Sequence, residues 1–205
     1  MKTTRTEGGK TLLWSVIMSF PGPLVVGLGL MAGRSSTQIA DFVRRSAELL
    51  AIIMSFVVYR LTTKDHFTDE LKKQRLERYT NLFVGGAMCV GGTMMLLLAV
   101  FSQNTDTGNV LPGLSIAILG VIANSIFWRR YRRLGQESGN SILLVQARLY
   151  RAKTLVDTCV TAALLSVAIA PQSLFSYYLD KIGSAVVAVY LLWTGLKTIR
   201  DRIGK

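Results

Sequence analysis

Arg44 and Glu48 stand four residues apart in DFVRRSAELL (41–50), and Lys153 and Asp157 stand four apart in YRAKTLVDTC (150–159). Four residues is one helical turn, so each pair shares a face with its side chains in reach of each other. Both stretches are otherwise apolar, and a lone charge in hydrocarbon costs at least a few kcal/mol on insertion unless it is paired or hydrated. If the two faces meet, two cations and two carboxylates form a neutral quartet that makes insertion tolerable. Exchange is the chemistry open to such a quartet. A proton or a monovalent organic cation competes for Glu48 and Asp157, or an anion bridges Arg44 and Lys153. Carboxylates in a low dielectric titrate nearer neutrality, which suits proton competition. The bland alternative is a permanent lock between two helices, although a buried ion pair is weak support for stability in itself.

Other residues extend the pattern. Asp41 lies one turn before Arg44 and Arg45 and is expected to pair with either. Asn124, in GVIANSIFWRRYRR (120–133), either lines a path opposite the quartet or makes a helix contact. Arg148 and Arg151 sit where they can snorkel to headgroups. The one histidine, His66, falls in a charged loop and is expected to be solvated. Cys89 and Cys159 lie in apolar runs as small hydrophobes, with no disulfide framework or metal-finger spacing. The glycines of FVGGAMCVGGTMM (83–95) predict close helix packing, with the methionines as core filler. Without a phosphate loop or a nucleophile constellation, an enzyme is not expected, and no cofactor is implied.

The elements that must position these groups are membrane helices. Half of the 205 residues are apolar, and the mean hydropathy is +0.38. Several runs reach the roughly 20 residues a transmembrane helix needs. Apolar windows place six helices near 11–33, 37–61, 79–102, 110–130, 142–170 and 181–199, in one domain over 1–205. The first run is too long for a signal-peptide core and is expected to stay as a span. Pro21, Gly22 and Pro23 predict a bend or break inside it. The segment from Thr62 to Tyr79, with charges of both signs at near-helical spacing, predicts a solvated extension of the second or third span.

A net charge of +12 raises the question of nucleic acid. The basic residues cluster instead at the ends of apolar spans, as expected if they fix orientation at a membrane surface. Seventeen of the 24 fall in the termini and in the second and fourth loops, against Arg34 and Lys181 in the opposite loops. Short basic loops favour the cytoplasm, which puts both termini there in a multi-pass protein of the cell membrane with lipid as its surroundings.

Local stretches also carry a likeness. QIADFVRRSAELLAII resembles the second helix of the cation diffusion facilitator (cation efflux) family, and RLERYTNLFVGG the start of its third. GVIANSIFWRRYRR is similar to the fourth, including an in-helix asparagine at Asn124. YRAKTLVDTCVTAALL resembles the fifth and YLDKIGSAVVAVYLLWTGLKTI the sixth. The resemblance implies an all-α, six-transmembrane-helix bundle of a dimeric carrier that exchanges zinc or another divalent metal for protons. It also marks departures. The family's transport site uses His or Asp at two positions four apart on helix two and again on helix five, giving four ligands to a tetrahedral metal. Arg44, Glu48, Lys153 and Asp157 stand at the matching positions. Arginine and lysine are implausible zinc ligands, and two acids flanked by two cations oppose a divalent ion. The family's cytoplasmic C-terminal metal-sensing domain is not expected here after the sixth span. The chain is thus expected to be a homodimeric secondary transporter for proton-coupled cation efflux by alternating access, without the usual zinc site. The alternative is a non-transporting membrane interaction protein with the same salt-bridged fold.

Overall fold

Pro21 sets the first feature of the chain. Proline has no N–H to give and disfavours a helical residue before it, so the first helix, α1 (Lys2–Ser19), stops at Phe20 and α2 (Pro21–Ala32) starts on the proline itself. Phe20 N still donates to Val16 O at 3.0 Å, closing the last turn of α1. Pro21 and Pro23 both fall in the first turn of α2, where a missing N–H costs nothing. The predicted break is therefore a clean junction.

In this computed structural model, which describes residues 2–32, 36–63, 69–101, 111–169 and 174–203, the remaining helices are α3 (Ser36–Thr62), α4 (Glu70–Phe101), α5 (Leu111–Ser138), α6 (Ser141–Ile169) and α7 (Leu174–Ile203). No strand occurs among the described residues. With α1 and α2 taken as one broken span, this is the six-helix bundle that the sequence predicts. Several helices outrun their apolar cores. Of the charged stretch 62–79, residues 64–68 lie outside the described residues and 70–79 belong to α4, started by Asp69, whose Oδ1 accepts the Lys72 N–H at 3.0 Å as an N-cap. At the same end, Gly139 takes the left-handed conformation (φ 64°) that ends α5. Asn140 Oδ1 then caps α6 by accepting from Ile142 N at 3.0 Å and Leu143 N at 3.3 Å. This short turn makes α5 and α6 an antiparallel hairpin.

Packing follows side-chain size. Helices α4 and α7 approach along small residues. A Cβ on Gly92 would stand 2.8 Å from Leu192 Cγ, and one on Gly195 would stand 2.8 Å from Gly85 O. The glycine-rich stretch thus works by close approach, as its composition predicts. On the other side, α5 runs along α6, and α3 is wrapped by α1, α2 and α4 and touches α6. The buried core gathers around Tyr59, Tyr131, Tyr150, Met88, Ile142 and Leu143. Large apolar side chains point outward along the helices, Val25, Ile116 and Trp193 among them, which is the inside-out pattern of a lipid-facing surface. Thr6–Leu28, Glu70–Leu97 and Ile182–Asp201 are long and apolar enough to cross a bilayer. Helix α3 carries Arg44 and Glu48, and α6 carries Lys153 and Asp157.

Candidate functional site

Helix α3 brings Asp41, Arg44, Arg45 and Glu48 onto adjoining faces within two turns. Asp41 serves both arginines: its Oδ1 accepts from Arg44 Nη2 at 2.7 Å and its Oδ2 from Arg45 Nε at 2.7 Å. Arg44 Nη1 donates in turn to Glu48 Oε1 at 3.2 Å. Arg45 is exposed, whereas Arg44 and Glu48 are only 8% and 5% exposed. Gly91 of α4 closes over them: a Cβ there would stand 3.5 Å from Arg44 Cγ and 3.8 Å from Glu48 Oε1. A larger residue there would crowd the pair.

From α6, Lys153 reaches across the helix contact to Glu48 Oε2 at 3.4 Å. Its ammonium also stands 5.1 Å from the centroid of the Tyr150 ring, a cation–π contact. Glu48 is thus held on one oxygen by its own helix and on the other by α6. The two faces meet, which is the condition for the quartet.

The pairing within the quartet differs from the expected one. Lys153 and Asp157 share a face but make no ion pair. Asp157 turns instead to α5, where Asn124 Nδ2 donates to its Oδ2 at 2.6 Å. Gly120 makes this possible, since a Cβ there would stand 2.7 Å from that same oxygen. Among the described residues no cation lies within salt-bridge distance of Asp157. The physical reason is competition: Arg44 divides itself between two carboxylates, which leaves an oxygen of Glu48 for Lys153, and Asp157 takes the neutral amide. Asn124 therefore makes a helix contact and borders the site at once. Arg45, Asp41, Arg44, Glu48 and Lys153 form a continuous chain of five charged groups, and Asp157 brings their sum to zero.

Arg148 and Arg151 find protein partners. Arg148 Nη1 donates to Thr198 Oγ1 at 3.3 Å and to Asp201 Oδ2 at 3.2 Å, tying α6 to α7. The Arg151 guanidinium lies 5.8 Å from the ring centroids of both Trp128 and Tyr190. His66 lies outside the described residues. Among the described residues no group of three His, Cys, Asp or Glu side chains comes together as a metal site.

Two residues that sequence reasoning passed over stand one step below the ion pairs. Gln146 Nε2 donates to Ser55 Oγ at 2.7 Å, and both side chains are fully buried. Their signal was faint: a polar residue seven before Lys153 and another seven after Glu48 share faces with them, but only the helix pairing shows that the two meet.

A helical bundle with an apolar exterior and charge-balanced groups at an interior helix contact defines an integral membrane protein with an ionic interior site. Comparison with known families agrees, for the cation efflux transmembrane domain matches residues 12–204. The chain belongs to the cation efflux family. No curated protein shows a significant match to it.

Proposed function

We propose that this protein is a multi-pass secondary transporter that moves a small cation in exchange for protons by alternating access, with Asp157 as its exchangeable acid. Family membership supports cation transport as the class. One observation carries the finer reading: of the two interior acids, Glu48 is held by two cations, whereas Asp157 has only a neutral amide donor. Glu48, Arg44 and Lys153 then act as fixed counter-charges, and occupancy at Asp157 by a proton or a monovalent cation sets the net charge of the site. The cationic partners on this face disfavour a tetrahedral divalent ion, since neither Arg44 nor Lys153 is a suitable ligand. The basic loops support cytoplasmic termini, and the family resemblance supports a homodimer.

Flux into proteoliposomes with an internal pH dye tests this. Proton movement driven by some member of a panel of metal and small organic cations is expected, with loss in Asp157→Asn. No proton movement with any of them would sink the proposal. A second reading, the non-transporting lock, draws on the close contacts of Glu48. It predicts that Asp157→Asn lowers stability by leaving a buried positive charge unmatched, with no flux in the wild type to lose.

A further inference from the structure

Two fully buried amide oxygens lack a hydrogen-bond donor, Gln146 Oε1 and Asn81 Oδ1. The orientation of each amide is fixed by its neighbour. Ser55 has one hydroxyl hydrogen, given to Ala51 O at 2.8 Å. Gln146 must therefore present its NH₂ to Ser55 Oγ, which turns Oε1 away from any protein donor. Ser141 likewise gives its one hydrogen to Glu77 Oε2 at 2.6 Å. Asn81 must then donate to Ser141 Oγ, at 3.1 Å, and its oxygen too is left over. Buried carbonyl oxygens in this condition are normally met by ordered water.

Their places in the fold are related. On the antiparallel α3–α6 contact, Glu48 meets Lys153 and Ser55 meets Gln146, a step of seven residues on both helices, or about 10 Å along the axis. The next equal step reaches Thr62 and Gly139. Both line a cavity of about 240 Å³ at the basic end of the bundle, together with Glu70, Glu77 and Glu137. Glu77 is the residue that anchors the Ser141–Asn81 pair. One unpartnered acceptor, Gln146 Oε1, thus lies on the α3–α6 seam between the ion-pair chain and the cavity, and the other, Asn81 Oδ1, lies on α4 within the hydrogen-bond group of the cavity-lining Glu77.

We infer that the α3–α6 seam is a hydrated route by which protons pass between the basic-end cavity and the ion-pair centre, with Gln146 Oε1 as its water-binding station. This rests on the transport reading for its purpose, while the presence of water in the seam stands independently. The groups facing the inner terminus of the route are Arg44 and Glu48 from α3 and Lys153 and Asp157 from α6, with Asn124 of α5 behind Asp157 and Gly91 of α4 over Glu48. Ala51 and Tyr150, level with one another between the two polar steps, are both buried and close the seam to a large solute.

The experiment uses Ser55→Cys and, as the control beside the seam, Val145→Cys, each in full-length protein with Cys89→Ala and Cys159→Ala. Membranes of both orientations are treated with Ag⁺, and unreacted thiol is then counted with a fluorescent maleimide after unfolding. Position 55 is expected to react from the basic end at least about tenfold faster than position 145, because a thiol packed in apolar surroundings is inert. Equal rates, or reaction at 55 only from the opposite end, would overturn the route. In parallel, Gln146→Leu keeps the volume, removes the acceptor and is expected to lower proton flux while the protein stays folded. Unchanged flux in that variant also overturns it. If the wild type moves no protons but position 55 still reacts, the hydrated seam holds and the transport reading fails.

Discussion

Glu48 is the residue whose loss should cost most. Glu48→Gln leaves Arg44 and Lys153 short of a counter-charge in a buried site, a change that costs about 3–5 kcal/mol for comparable pairs. The double variant Glu48→Met with Lys153→Met removes one charge of each sign and leaves Arg44 with Asp41. It should recover most of that loss. Equilibrium unfolding in mild detergent checks both, and a single variant as stable as the double would contradict the bridging geometry. Asp69 offers a pH prediction at the same scale. The Lys72 backbone N–H holds its carboxyl below the usual value, so its contribution is present above the unfolded-state pKa and is lost as pH falls through the lower folded value. The amide resonance of Lys72 should shift through that fall and should not titrate in Asp69→Asn. In the sequence, spacing alone was enough to find Arg44, Glu48, Lys153, Asp157 and Asp41. Their partners were not legible, because choosing among Asp41, Glu48 and Asp157 depends on side-chain direction across a helix contact.

Elements are decided by small residues. The α4–α7 contact tolerates no side chain at Gly92, where a Cβ would stand 2.8 Å from Leu192 Cγ and 3.0 Å from Ala188 O. Gly92→Ala should destabilise by about 1–3 kcal/mol, the usual cost of overpacking. A Cβ added at Gly86 would meet nothing within 4 Å, so Gly86→Ala should be neutral or gain up to about 1 kcal/mol from helix propensity. Thermal unfolding of the two variants in one detergent reads the difference, and equal midpoints would show that the two helices are not in close contact. Gly120→Ala makes a similar test on α5, since its methyl would push Asp157 away from Asn124. Flux should fall without loss of fold. The glycine pattern of 83–95 announced close packing in advance without showing that Gly91 would face Arg44 and Glu48, and Gly120 carried no such signal. Their role depends on which neighbour stands opposite.

At the scale of the whole molecule, charge distribution predicts topology. Thiols placed at the N-terminus, in the Ser138–Asn140 turn and near Asp201 should all react from one side of the membrane, as the basic loops require. Reaction from opposite sides would break the six-span arrangement and, with it, the meeting of α3 and α6 inside the bilayer. The apolar outer faces and the ionic interior are two sides of one requirement: lipid rewards hydrocarbon outside, and any charge retained inside must be matched. The chain of groups from Arg45 to Lys153, balanced by Asp157, meets that requirement with the protein's own side chains.

The sequence by itself determined the helical class, the six-helix count, the break at Pro21 and the two helices that carry interior charge, since each follows from period, apolar length or the chemistry of a single residue. Tertiary structure alone decided that Lys153 belongs to Glu48 and Asp157 to Asn124, and that Ser55 meets Gln146. Those pairings turn on the antiparallel register of α3 and α6 and on the space left at Gly91 and Gly120, where a small displacement changes which oxygen a cation can reach.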